Sequence, residues 1–346
     1  PRELAGCEGA WYVSGVEARQ DLHQILLDNG LSRQKLWRTI HQLERIDLDI
    51  LLQANPVSWN GLSIGSYHQT FDLPATLPVS DNLLRLIGYY IAEGCYTKRY
   101  VTISTDDPEV VQALQAAALE LGVSCHHRTG TYDYQLSSTL LATLLKLWCG
   151  RLSSGKHLPA WWPSLSKRQL GVLLGAYYDG DGSIERLVIS ASSTSSQLVS
   201  DLQYALSSLG TESRVRRKMV KYRGGLKENW VIGVTGINRF AFRDAVHLTV
   251  ARKRIAVASL KPGNHNTNVD LIPFYGNAFK KLRLQCNASQ AEWALYAGCS
   301  RSQIALIEHG LRKPSYSLAR HLLMNLTAES GGLPAVKALR AMVELR

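Results

Sequence analysis

Apolar residues recur first at helical and then at strand spacing, in an order that the middle of the chain uses twice. The first block reads as helix 82–93, strand 95–105, helix 107–121, two strands near 123–137 and helix 138–148. The second reads as helix 166–179, strand 183–193, helix 195–209, strands 212–222 and 229–235, and helices 238–247 and 250–259. The order α-β-α-β-β-α thus appears twice over comparable lengths, which predicts a pseudo-two-fold protein in one chain rather than a solenoid. After Gly94 the polar set Tyr96, Lys98, Tyr100, Thr102 and Ser104 stands against Val101 and Ile103. After Gly182, Arg186, Ser190 and Ser192 stand against Leu187, Ile189 and Ala191. Such alternation predicts sheets with one polar face and one core face.

The flanks read differently. In residues 16–52, VEARQDLHQILLDNG stops at Asn29-Gly30 and LSRQKLWRTIHQLERI restarts after Ser32, an N-cap. Helix, turn, helix fits a plain hairpin or a DNA-reading motif. A looser stretch with Pro56, Gly61, Gly65, Pro74 and Pro78 follows. Beyond Pro262 the strand pattern ends and residues 287–326 read as helices with short turns. There Ser289 and Glu292 have capping-box spacing, Gly298 ends one helix, Ser300 starts the next, and Ile304 and Ile307 point inward.

Charge adds a partner. The formal charge of +11 over 346 residues favours a polyanion, either nucleic acid or an anionic membrane surface. The most basic stretch is TESRVRRKMVKYRGGLK, where Arg214, Arg216 and Lys218 share one strand face and Lys221 and Arg223 follow. No apolar run approaches a bilayer span, and PRELAGCEGAW lacks the apolar core of a signal peptide. Pro1 in place of Met fits either an excised chain or simple Met removal. Cys7, Cys95, Cys125, Cys149, Cys286 and Cys299 form no C-x-x-C pair, which argues against structural zinc and for an intracellular, reduced chain.

The chemistry lies in two helix endings, LLRLIGYYIAEGCY and LLGAYYDGDGSI. Each is an apolar helix with small residues on one face (Gly88 and Ala92; Gly175, Ala176 and Gly180), closed by an acid and a glycine, Glu93-Gly94 and Asp181-Gly182. If the helices pack together, their C-terminal ends meet and the carboxylates converge. Each acid then faces a like charge and the negative end of its own helix. A divalent cation relieves both conflicts, and hard oxygen donors suit Mg²⁺. Asp179 reads as a helix-end residue rather than a ligand.

LIGYYIAEG and LGAYYDGDG resemble the signature helices of LAGLIDADG homing endonucleases, the dodecapeptide type of inteins and introns. The resemblance covers about residues 76–275 and includes GKHLP, the amphipathic SSQLVSDLQYALSSLGTESRV and NVDLIP. Two departures stand out: Glu replaces Asp at the first acid, and Gly-Ala is shifted by one place in the second helix. The resemblance implies an α+β fold, a pseudo-two-fold pair of αββαββα-like half-domains with curved antiparallel sheets, plus helical N-terminal and C-terminal regions. It implies boundaries of 1–75 (helical), 76–155 (half one), 156–275 (half two) and 276–346 (helix-turn-helix).

It further implies Mg²⁺ or Mn²⁺ held by Glu93 and Asp181 with the carbonyls of Ala92 and Gly180, and Lys156 as a catalytic lysine. Lys218, with Lys221 behind it, is the candidate for a second. Double-stranded DNA would lie on Lys98, Tyr100, Arg186, Ser190, Arg214, Arg216, Lys218, Lys221 and Arg223. The segment after Ser289 resembles lambda-repressor-type helix-turn-helix domains, in which Gln290 would touch a phosphate and Arg301, Ser302 and Gln303 would read bases. The implied activity is a monomer making double-strand breaks in a long site. A non-cleaving DNA-binding regulator and an RNA maturase on the same scaffold are the alternatives. NHNT at 264–267 resembles an intein C-terminal junction, although no β-rich N-terminal splicing block is visible.

Overall fold

The computed structural model describes residues 1–346 except 6, 8–9, 68–71, 223–224, 262–270, 273–275, 327–333 and 345–346. They form two compact units, Pro1–Lys261 and Pro262–Arg346. No helix among the described residues is long and apolar enough to cross a membrane.

The first unit opens with β1 (Trp11–Ser14), α1 (Gln20–Asp28), α2 (Arg33–Ile40), β2 (Ile46–Asp47), α3 (Leu48–Ala54), β3 (Ser63–Ser66) and β4 (Leu73–Pro74). The expected helices are there, and Ser32 does cap α2, accepting from the Lys35 N–H. The strands add something the helical reading lacks, an antiparallel sheet in the order β2-β1-β3-β4. Its strands are only two to four residues long, too short to show a period against the flanking helices.

The duplication follows. The first copy is α4 (Asp81–Glu93), β5 (Gly94–Tyr96), β6 (Val101–Ser104), α5 (Pro108–Leu121), β7 (Ser124–His127), β8 (Asp133–Ser137) and α6 (Thr139–Cys149). The second is α7 (Lys167–Asp181), β9 (Gly182–Ile184), β10 (Val188–Ser193), α8 (Ser196–Ser208), β11 (Arg214–Tyr222), β12 (Gly225–Thr235) and α9 (Asn238–Ala245), followed by α10 (Ala251–Ala258). The sheet orders β5-β6-β8-β7 and β9-β10-β12-β11 are one topology used twice, antiparallel throughout. The fold is therefore α+β with paired half-domains.

Each long first strand read from alternation is a hairpin. Thr97 turns the first, its N–H donating to the Tyr100 carbonyl at 3.1 Å, and Glu185 does the same to Val188 at 2.9 Å. Polar residues that alternate can mark a strand or a turn, and Lys98, Tyr100 and Arg186 fall in the turns. The core faces are as expected at Val101, Ile103, Ile189 and Ala191, which are buried, but Leu187, read onto the same face, falls in the hairpin turn and is exposed.

The second unit contains α11 (Gly276–Gln285), α12 (Gln290–Ala297), α13 (Arg301–Glu308), α14 (Tyr316–Asn325) and α15 (Pro334–Glu344) around Phe279, Trp293, Ile304, Ile307 and Leu322. It begins before residue 276. Leu271 bridges to Ser315, the Ile272 N–H donates to Pro314 at 2.9 Å, and Ile272 is buried in this core. The part of NVDLIP that is described thus belongs here rather than to half two. NHNT lies outside the described residues.

Candidate active site

The site is made by α4 and α7. Each starts on a serine, Ser80 accepting from Leu83 and Ser166 forming a capping box with Gln169. The two helices pack along one seam. A Cβ placed on Gly88 would meet the Ala176 Cβ and the Leu173 carbonyl, each at 2.6 Å, and one on Gly180 would meet the Ala92 Cβ at 2.5 Å. Only glycine permits so close a backbone approach. Gly175 departs from the expected face, because it lies against the carbonyl of His247, which leaves no room for a Cβ.

Both helices end alike. Gly94 (φ −79°, ψ 134°) and Gly182 (φ −80°, ψ 137°) turn each chain straight into a strand. The last helical residues are Glu93 and Asp181, and the seam brings them together: the Gly180 position lies 3.3 Å from the Glu93 Cγ by the same Cβ measure. Burial first, then the charge of Glu93, pushes the Asp181 carboxyl up to about 7, against the pull of Lys253 and Lys156. Desolvation also raises Glu93, which Lys253 opposes.

Two buried lysines stand behind these acids. Lys156 follows α6, donates from Nζ to the Tyr90 carbonyl at 2.6 Å and lies 3.2 Å from the Tyr90 ring centroid. Burial pulls it down to about 8, while Cys149, Cys95 and Asp181 pull it up. Lys253, on α10, donates to the carbonyls of Tyr178, Asp179, Gly180 and Gly182 at 2.8, 2.6, 3.2 and 2.7 Å. Burial, then Arg252, lowers it, while Asp179, Asp107 and Asp181 raise it. Each ammonium thus rests on the negative end of one signature helix.

Lys253 is the residue that the pattern reading missed. Lys218 and Lys221 are exposed on β11, where Lys218 pairs across the ladder with Asn229. Both are exposed on the strand, unlike the two buried lysines. The signal was available in the repeat. Lys156 follows the last helix of copy one, and Lys253 follows the last helix of copy two. Asp179 is buried at 2% exposure, and its carboxylate accepts from Thr249 N–H at 2.7 Å and Val250 N–H at 3.1 Å. It holds the chain leading into α10, as a helix-end residue.

The remaining candidates divide by location. Ser190 is half-buried on β10, and Arg214 and Arg216 are exposed on β11 with Lys218 and Lys221. Lys98, Tyr100 and Arg186 sit at the hairpin turns, where Arg239 donates to the Arg186 carbonyl. Arg223 lies outside the described residues.

In the second unit α12 ends at Gly298 (φ 65°) and α13 starts on Ser300, whose side chain accepts from Gln303 N–H. Arg301 and Ser302 are exposed on its first turn, and Gln303 is half-buried. Gln290 is engaged already. Its amide donates to Glu308 Oε2 at 2.8 Å, beside a buried pair in which Arg283 Nε meets Glu308 Oε1 at 2.6 Å. Burial raises the Glu308 carboxyl, but the bonds from Arg283 and Gln290 outweigh it and leave it below the ordinary range.

Residues 80–142 and 169–254 match the family model of the LAGLIDADG-like domain. DNA-directed RNA polymerase subunit Rpo1C of Methanocaldococcus jannaschii is 25% identical over 222 residues, which is 61% of this chain and 25% of that protein. The chain therefore spans about a quarter of that relative's length. Homing endonuclease I-DmoI in complex with DNA and Ca is 15% identical, over 52% of this chain and 98% of that one, with a TM-score of 0.40. The N-terminal LAGLIDADG domain of WhiA is 9% identical, over 53% and 89%, with a TM-score of 0.33. The matched segments hold α4, most of α7 and both terminal acids, and the central region of this chain is similar to the LAGLIDADG-like domain family.

Proposed function

We propose that this chain is a site-specific endonuclease that hydrolyses both strands of duplex DNA within a long recognition site. The observation that carries the reading is the meeting of Glu93 and Asp181 at the ends of α4 and α7, each helix end backed by a buried lysine. Two desolvated carboxylates beside one another are an unfavourable arrangement without a cation. Their hard oxygens, with the Ala92 and Gly180 carbonyls, fit Mg²⁺ or Mn²⁺. Among the described residues no group of three or more His, Cys, Asp and Glu side chains forms a metal site, so the acid pair would share the ion with carbonyl, water and phosphate oxygens. When bound, the cation supplies positive charge for the attacking water and the leaving oxygen.

The protein's own groups do the rest. Glu93 and Asp181 place two carboxyl groups at the point where the half-domains meet. Lys156 and Lys253 hold positive charge beside them and steady the phosphate as charge builds in the transition state. Lys156, at about 8, keeps its proton at neutral pH and can share it with the water or the phosphate. Water oxygen bonds to phosphorus and gives up a proton to solvent, the bond from phosphorus to the 3′ oxygen breaks and that oxygen takes a proton, and the products are a 5′ phosphate and a 3′ hydroxyl. The exposed Arg214, Arg216 and Lys218 face of β11, with Lys221 further along the strand, suits the duplex backbone. We read α12 and α13 as a helix-turn-helix that extends the footprint, with Arg301 and Ser302 toward the bases. By family resemblance the chain is of the intein- or intron-encoded kind and acts as a monomer.

The test is selection of cleaved members from a randomised duplex library in Mg²⁺, with the Asp181→Asn chain as control. Enrichment of one long site by the wild type alone supports the reading. Binding without cutting would make the chain a DNA-binding regulator instead.

A further inference from the structure

Each buried lysine is held at its tip by one half and along its backbone by the other. Lys156 follows the first half, and its ammonium rests on Tyr90 of that half. Its own carbonyl accepts from Ser195 Oγ at 2.6 Å, and the nearby Leu158 N–H donates to Asp201 Oδ2 at 3.0 Å. Ser195 caps α8 and Asp201 lies on it, both in the second half. Lys253 follows the second half, and its ammonium rests on α7. Its backbone is fastened to the first half. The Ala251 N–H donates to Glu109 Oε1 at 3.1 Å, and Arg252 donates to both carboxylate oxygens of Asp107 at 3.1 and 2.8 Å. Asp107 is the N-cap residue of α5, and Glu109 lies in its first turn. The N-terminal part of the same helix in each copy therefore straps the lysine of the other copy.

We propose that these reciprocal straps are positioning devices: Ser195 and Asp201 seat Lys156, and Asp107, Glu109 and Arg252 seat Lys253, so that both lysines are in place only when the halves are docked. A long side chain reaches a fixed carbonyl only if its Cα is fixed, and a shift of about 1 Å takes an N–H out of bonding range. Asp179 adds a hold on Lys253 from its own half, and the crossed straps add the dependence on the partner half. The catalytic consequence rests on the nuclease reading, whereas the seating rests on the hydrogen bonds alone.

The experiment uses the full chain, with Glu109→Ala and Arg252→Ala against one strap and Asp201→Ala against the other. Arg252 is an exposed residue, so its variant keeps the test open should Glu109→Ala fail to fold. A brief pulse of acetic anhydride in chelator, read by peptide mass spectrometry, measures how open each lysine is. Lys253 should label severalfold faster in Glu109→Ala and Arg252→Ala while Lys156 stays protected, and Asp201→Ala should give the converse. Glu109→Gln, which keeps an acceptor oxygen, should label as the wild type does. On a duplex selected for cutting, the strap variants should lose about tenfold or more in single-turnover rate, with binding changed by less than about twofold. Both lysines opening together in every variant, or neither opening, overturns the proposal. Strap-selective labelling without loss of rate overturns the positioning role. A wild type that cuts no duplex yet labels strap-selectively sinks the nuclease reading and leaves the straps standing.

Discussion

A methyl group on Gly180 would stand 2.5 Å from the Ala92 Cβ and 3.3 Å from the Glu93 Cγ, so the two helix ends that carry the acids touch backbone to side chain. Gly88 is equally confined, facing the Leu173 carbonyl at 2.6 Å and the Tyr177 nitrogen at 2.9 Å by the same measure. Overpacking such a seam costs about 1–3 kcal/mol. Gly88→Ala should lower the guanidinium midpoint accordingly. Gly180→Ala should in addition slow cutting, because it parts the acids. An unchanged midpoint for Gly88→Ala would mean that the helices are not in contact there.

Asp181→Asn and Glu93→Gln keep nearly the same shape but remove one charge each from the pair. Cutting of a selected duplex should fall below detection in both, while binding in Ca²⁺ should hold to within about tenfold. Residual cutting at the wild-type rate by Asp181→Asn would remove the acid pair from the mechanism.

The same carboxyl predicts an unusual stability profile in chelator. Asp181 titrates near 7 in the folded chain and near its ordinary 3.8 when unfolded. Between those values the folded state binds more protons than the unfolded state, so this group's contribution to stability declines as pH rises from about 4 to about 7. Unfolding free energies for wild type minus Asp181→Asn across that window should show the decline. A difference that is flat with pH would mean that Asp181 is solvated and ordinary.

Lys253 and Lys218 should separate chemistry from binding. Lys253→Met leaves four carbonyls and two acids without their cation and should lower the single-turnover rate by about a hundredfold or more. Lys218→Ala, on the exposed strand, should leave the rate on bound duplex intact and flatten the salt dependence of binding by about one unit of log–log slope. Equal rate losses in both variants would restore Lys218 as the second catalytic lysine.

In the second unit, Arg283→Met strands the Glu308 carboxylate in the core. Breaking a buried pair on one side costs roughly 3–5 kcal/mol. Calorimetry of the full chain should show one transition moved down while the other stays in place.

How far the sequence could be read is clear from particular residues. The two acids were legible because helix periodicity ends on Glu93-Gly94 and on Asp181-Gly182 in a duplicated order, and local pattern survives translation into structure. The inward faces of β6 and β10 were legible for the same reason. The hairpin turns at Thr97 and Glu185 were not, since polar residues satisfy a strand's solvent face and a turn alike. The short N-terminal strands offered too few residues for any period to show.

Lys253 was out of reach of local reading for a stronger reason. Nothing within RKRIA distinguishes a lysine that will be buried from its neighbours Arg252 and Arg254, which remain exposed. Burial is conferred by the carbonyls at the end of α7, far back in the chain, and by Glu109 and Asp107 in the other half. By itself the sequence determined the helices, the duplicated order and the paired acids, because those depend on residues near one another. Only the tertiary structure decided which lysine stands behind the acids and which glycines line the seam, because those depend on groups that meet when the chain closes on itself.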